Sequence, residues 1–184
     1  MTTILGMDLS KRSTGWALWS DTMSKPVSGI WSLGSELTSS GRAFLKLHQC
    51  MNDLYTVHPF DIVIYESPLN LDSGKLVTNA DTTELLVGLA CHVDSFAEAK
   101  NVRKYRKVNQ STWRRHFIGS MKRGTKTPQL KAYAMERCQQ LGLNPSKHDE
   151  AEAIGILDYM CEMEAITPPW RANEVLRPPL SVAR

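Results

Sequence analysis

Asp61-Ile62-Val63-Ile64-Tyr65-Glu66-Ser67-Pro68 is the stretch that leaves this chain the fewest folds. Its apolar residues run without polar alternation, the pattern of a central parallel strand buried on both faces. Such a strand needs helices above and below it. It also stops on a carboxylate, at the strand end where ligand sites of open α/β sheets collect. A second apolar strand, Thr3 to Asp8, stops the same way.

The remaining elements fit around these two. After the turn Leu9 to Ser13, residues Thr14 to Ser20 read as a strand with Trp16 and Leu18 on one face and Ala17 and Trp19 on the other. A third strand follows over Val27 to Leu33, and the short turns predict an antiparallel meander. Helical spacing covers Gly41 to Val57, closed by Pro59, and Asp81 to Ala99, with a polar loop from Asn70 to Thr78 before the second helix. Val102 to Val108 reads as a basic, edge-like fifth strand. A short helix spans Ser111 to Phe117, and another spans Pro128 to Leu141 with Gly142 just past its end. The order predicts an α/β fold: a five-stranded mixed sheet, three antiparallel meander strands plus two parallel ones, with helices on both faces. Residues 1–166 read as one domain and 167–184 as a proline-rich tail of irregular structure.

The last helix, after Pro145, opens with His148-Asp149-Glu150-Ala151-Glu152. Asp149 and Glu152 are three apart and share a face, while Glu150 points away. Acids in a first turn also complement the helix dipole, and Ser146-x-x-Asp149 fits a capping arrangement. Asp8 and Glu66 at two strand ends tip the balance toward a site, since the three regions together offer four carboxylates. Crowded carboxylates repel unless a cation joins them. Their oxygens are the hard donors that Mg²⁺ and Mn²⁺ prefer, and two such ions suit phosphodiester hydrolysis. No Gly-x-Ser-x-Gly, Walker lysine loop or Gly-x-Gly-x-x-Gly competes with this reading.

Charge points to the substrate. The net charge is +3, yet Lys100 to Arg137 holds twelve Lys/Arg against Glu136 alone, on a remainder of ten basic and eighteen acidic residues. A basic segment of that density suits nucleic acid, through counterion release; a solvated basic face is the competing reading. No apolar run approaches the roughly 18 residues of a membrane span. The N-terminus lacks the pattern of a signal peptide. Cys50, Cys91, Cys138 and Cys161 form no C-x-x-C pair, as expected of reduced thiols in an intracellular protein.

Gly-Met-Asp-Leu-Ser-Lys-Arg-Ser-Thr-Gly-Trp-Ala, Ile-Val-Ile-Tyr-Glu-Ser-Pro and His-Asp-Glu-Ala-Glu-Ala-Ile-Gly-Ile resemble the three acidic motifs of RuvC-type Holliday junction resolvases, members of the RNase H-like superfamily. With Trp-Arg-Arg-His-Phe-Ile-Gly between them, the chain is most similar to phage- and prophage-encoded members. The likeness runs from about residue 3 to 160. It implies a homodimer that resolves four-way DNA junctions by paired phosphodiester hydrolysis, leaving 5′-phosphate and 3′-hydroxyl ends. By position, Asp8 would bridge two Mg²⁺ ions (Mn²⁺ substituting), Glu66 and Asp149 would each hold one, and Glu152 would complete the set. Two positions depart from the family pattern. Glu152 stands where Asp is frequent, with Glu150 as its neighbour and rival. Asn109 stands where a lysine can follow the last strand, which leaves Lys107 as a substitute or the contact absent; Lys126 is the better candidate for a lysine near the scissile phosphate. The helix carrying Leu85, Leu89, Val93 and Phe96 is first of all core, and the resemblance implies that it also pairs across a two-fold axis.

The DNA-contact candidates are Lys11, Arg12, Lys107, Trp113, Arg114, Arg115, Lys122, Arg123, Lys126 and Lys131. Trp113 among arginines suits base stacking, although a tryptophan there more often packs its helix onto the core. His148 beside the acids could move protons or simply precede the helix. Three other functions compete. The same site could serve an RNase H-type or flap nuclease. A non-catalytic junction-binding protein would carry a degenerate site. A sugar or acyl kinase would share the first hairpin, but needs a second domain for which 184 residues leave no room.

Overall fold

A computed structural model of the chain describes residues 1–68 and 80–172. Five strands, β1 (Thr3–Asp8), β2 (Thr14–Ser20), β3 (Val27–Trp31), β4 (Ile62–Glu66) and β5 (Lys104–Val108), form one sheet in the order β3-β2-β1-β4-β5. β1–β2 and β2–β3 pair antiparallel, while β1–β4 and β4–β5 pair parallel. This is the mixed sheet predicted from the sequence. The loop Asn70 to Thr78 lies outside the described residues.

Strand alternation sorts the core into two layers. Leu5, Met7, Leu18, Val63 and Tyr65 face α1 (Ser40–Val57) and α2 (Ala80–Ala99). Ile4, Ala17, Trp19, Ile62 and Ile64 face α3 (Gln110–Ile118), α4 (Thr127–Gln140) and α5 (His148–Met163). By the same parity Asp8 follows Ile4 and Gly6, and Glu66 follows Ile62 and Ile64. Both acids therefore end on the α5 side of the sheet.

α5 lies across β1 and β2 with almost its whole circumference buried, including Ile154, Ile156, Leu157 and Met160. Each such side chain contributes about 1.5–3 kcal/mol by burial. Two glycines permit the close approach. A Cβ at Gly6 would sit 2.7 Å from the Leu157 nitrogen, and one at Gly15 would sit 1.9 Å from the Asp149 carbonyl oxygen. Gly15 is also the register partner of Asp8. Backbone contact at that point is what sets the start of α5 beside the end of β1.

Element boundaries shift where local hydrogen bonds decide them. α1 begins at Ser40 because the Ser39 hydroxyl accepts from the Arg42 N–H at 3.4 Å. β5 begins at Lys104 instead of Val102 because the Val102 N–H closes α2 on the Ala97 carbonyl, with Asn101 at φ 53°. Beyond α5, Pro169–Arg171 forms a 3-10 turn in which Trp170 packs edge-on against Trp19. The buried Asp158 carboxylate holds this turn, accepting from Trp170 Nε1 at 2.7 Å and Arg171 Nε at 3.0 Å, and it meets His116 Nε2 at 2.8 Å. All four cysteines are free; Cys138 and Cys161 are buried and Cys91 is exposed. Among the described residues no helix is long and apolar enough to cross a membrane.

Candidate active site

Parity of the strands and the glycine contact bring three carboxylates together. Asp8, Asp149 and Glu152 each present an oxygen such that all lie within 4.8 Å of one another. Glu66 stands beside this group but outside it, and both of its oxygens are engaged. Gln110 Nε2 donates to one and Trp113 Nε1 to the other, each at 2.8 Å. Glu150 turns the opposite way, accepting from the Ser146 N–H at 2.7 Å, the Ser146 hydroxyl at 2.6 Å and the Ser28 hydroxyl at 2.8 Å. The capping role foreseen for Asp149 thus falls to Glu150, and Glu152 is the acid that shares a face with Asp149.

Two cations are built into the cluster. Arg114, on α3, pairs with Glu152; their side chains are 8% and 3% exposed. The Arg114 Nε finds no hydrogen-bond partner although buried. Lys131, on α4, reaches Asp149 at 2.6 Å and Glu152 at 3.4 Å. The Ser13 hydroxyl donates to the second oxygen of Asp149 at 2.6 Å.

These neighbours split the acids electrostatically. Burial, then the charges of Glu66, Glu152 and Asp149, holds the Asp8 carboxyl well above the ordinary range. Burial also raises Glu66, against the pull of Trp113, Arg114 and Gln110. Burial pushes Asp149 upward too, but hydrogen bonds from Lys131 and Ser13 outweigh it and leave that carboxyl below its usual value. Lys131 is raised: burial opposes its charge, and Asp149, Glu152 and Asp8 together overcome that. The donor set is all oxygen, anionic and half-buried around Asp8, which fits a hard divalent cation.

The basic candidates divide into inward and outward groups. Trp113 is 0% exposed and Arg114 is 7% exposed, both turned toward the carboxylates instead of solvent, so neither presents a surface on which a base could stack. Lys131 is half-buried and also turned inward. Arg115, Lys122, Arg123 and Lys126 are exposed. Arg12 pairs with Glu36, Lys11 reaches the Glu36 carbonyl at 3.4 Å, and Lys107 pairs with Asp94 at 3.0 Å. His148 is exposed at the start of α5. Sequence reasoning missed Ser13, Gln110 and Gly15. Gln110 and Trp113 are three apart, so one helix face just after β5 carries both donors to Glu66, a legible signal.

No protein-family model matches the chain, and no curated protein is matched. Solved structures do share its fold. Thermus thermophilus RuvC in complex with a Holliday junction substrate superposes with a TM-score of 0.65 at 10% identity, covering 91% of this chain and 99% of that one. The yeast mitochondrial Holliday junction resolvase gives 0.60 at 12% identity, covering 93% and 79%. The fowlpox virus Holliday junction resolvase gives 0.56 at 13%, covering 89% and 99%. The fold is therefore the RNase H-like fold of these proteins.

Proposed function

We propose that the chain is a divalent-metal-dependent endonuclease that resolves four-way DNA junctions, working as a homodimer whose two sites make paired nicks. The observation that carries this reading is the convergence of Asp8, Asp149 and Glu152 at the carboxyl ends of central strands, on a fold seen in junction resolvases. Asp8, Asp149, Glu152 and Glu66 would hold the ions, two Mg²⁺ per site with Mn²⁺ able to replace them. When bound, such ions supply Lewis acidity toward water and toward the leaving oxygen.

The chain's own residues do the positioning. Trp113 and Gln110 fix Glu66, Arg114 fixes Glu152, and Ser13 with Lys131 fixes Asp149. Lys126, expected from the sequence near the scissile phosphate, is exposed at the start of α4, whereas the Lys131 ammonium, one-third exposed and paired with Asp149, would turn toward a non-bridging phosphate oxygen and stabilise charge gained in the transition state. Water's oxygen joins phosphorus as the bond to the 3′ oxygen breaks, giving a 5′-phosphate and a 3′-hydroxyl. Exposed Arg115, Lys122, Arg123 and Lys126, with Lys11, Arg12 and Lys107, would contact phosphates. Leu85 and Leu86 in the first half of α2 pack in part against the chain's own core and keep a half-exposed side, on which a partner helix would lie.

The test is nicking of a labelled immobile four-way junction in Mg²⁺, with Asp8→Asn and a matched linear duplex alongside. Symmetric cuts near the crossover, lost in Asp8→Asn while junction binding persists, are expected. Cutting of RNA–DNA hybrid or flap DNA in place of the junction would move the same site to another nuclease class. Junction binding without cutting in either Mg²⁺ or Mn²⁺ would refute catalysis.

A further inference from the structure

β5 is the last strand of the sheet, paired with β4 on one side only. A cavity of about 830 Å³ follows its outer side. Arg103, Lys104, Arg106 and Lys107 line it, while Tyr159 and Met163 of α5 form one wall and Asp94 of α2 contributes to another. Two carboxylates offset part of this charge. Glu164 takes Lys104 at 2.5 Å and touches Arg103 at 3.9 Å, and Asp94 takes Lys107 at 3.0 Å. Arg106 is exposed and makes no ion pair among the described residues. Four cations against two acids leave a positive groove.

One end of this groove, at Val108, Asn109 and Thr112, lies beside the candidate active site. Val108 is the register partner of Glu66, and its carbonyl accepts from the Ser67 N–H at 2.8 Å. Asn109 and Thr112, which also line the cavity, flank the Gln110 that holds Glu66. From that end the basic strand runs back roughly 13 Å to Lys104, at about 3.3 Å per residue. We propose that this groove receives the phosphate backbone of one DNA arm as it leaves the cleavage point. The proposal rests on the nuclease reading above and extends it to the path of an arm.

The sequence of the strand favours a polyanion over an added peptide strand. Lys and Arg along an edge are the usual guard against strand addition, and here they straddle the edge, Lys104 and Arg106 on the α5 side and Lys107 on the α2 side, along the strand that ends beside the carboxylate cluster. A duplex carries one charge per about 1.7 Å of axis, so a row of cations meets several phosphates at once.

The test uses the full chain carrying Arg103→Gln and Arg106→Gln, both exposed and outside the carboxylate cluster. Junction binding is measured without divalent ion over a range of NaCl, and nicking in Mg²⁺ at saturating junction. Each lost phosphate contact lowers the slope of log K against log salt by about 0.9, so a fall of about 2 is expected. Affinity should drop several-fold, with nicking at saturation within twofold of wild type and an unchanged melting temperature. Shortening the junction arms should weaken wild-type binding and leave the variant indifferent. An unchanged slope and affinity in the variant, with wild-type nicking intact, would overturn the arm path and leave the nuclease reading standing. Wild type that neither binds nor cuts any branched DNA or hybrid would remove both. Binding of polyglutamate in preference to DNA, lost in the variant, would assign the groove to an acidic partner and also overturn the proposal.

Discussion

Arg114→Met separates the two roles that the cluster's built-in cations could have. In the wild type the guanidinium pairs with Glu152, whose side chain is 3% exposed. Breaking a buried ion pair from one side costs about 3–5 kcal/mol, because the remaining charge is stranded. Two features of this site reduce that. The unpartnered Arg114 Nε disappears with the substitution, returning about 1–3 kcal/mol, and Lys131 stays 3.4 Å from the other Glu152 oxygen. A net loss of about 2 kcal/mol follows, which for a chain of this size lowers the melting temperature by about 4–8 °C. Urea unfolding without metal measures it. Adding Glu152→Gln to Arg114→Met removes the stranded charge and should restore at least half of the loss. Mg²⁺ should stabilise Arg114→Met more than wild type, since the ion then replaces the missing cation. Metal-free stability within about 0.5 kcal/mol of wild type, or a double variant no better than the single one, would refute the argument that Arg114 exists to hold Glu152.

Three further outcomes are expected. Asp8 has a raised folded-state carboxyl, so its favourable contribution is present below the unfolded value near 4 and is lost as pH rises through the folded value, at about 1.4 kcal/mol for each pH unit between the two; Asp8→Asn should therefore raise the metal-free melting temperature at neutral pH while abolishing the Mg²⁺-induced stabilisation, and a lower melting temperature would contradict this. Gly15→Ala puts a methyl group 1.9 Å from the Asp149 carbonyl, which should cost about 1–3 kcal/mol and weaken Mg²⁺ binding in a thermal-shift titration; unchanged metal affinity would show that α5 is not set there. Asp158 lies below the usual range because bonds from His116, Arg171 and Trp170 outweigh burial, so its stabilisation holds above the unfolded value and is lost as pH falls through the folded one; Asp158→Asn should flatten that acid limb and expose Trp170 to fluorescence quenching at neutral pH, and a wild-type acid limb would count against it.

How much of the fold and site is legible in the sequence depends on the range of the interaction that decides each feature. The apolar run of β4 and the stripe of α2 are local patterns, and both form elements close to the expected bounds. The start of β5 differs from the expected one because Val102 is equally apolar in a strand or in a helix closure, and a hydrogen bond to Ala97 makes the choice. Strand parity is enough to place Asp8 and Glu66 on one side of the sheet, and the three-residue spacing is enough to pair Asp149 with Glu152. Neither pattern reveals that Glu66 has both oxygens committed to Gln110 and Trp113.

The basic segment marks the harder boundary. Lys100 to Arg137 reads as one patch of uniform sign, yet Arg114 and Lys131 turn inward to neutralise acids while Arg115, Lys122 and Arg123 face solvent. Adjacent arginines on α3 thus serve opposite purposes. Charge is a local property of the chain, but its exposure is decided by which carboxylates the fold delivers to the same place. Here α3 directly follows the strand beside Glu66, and α4 leads directly to α5, so the topology brings the inward cations to the acid cluster before any ion is needed to hold it together. A carboxylate cluster assembled this way keeps its acids oriented by the chain's own cations, and it leaves Arg115, Lys122 and Arg123 facing solvent.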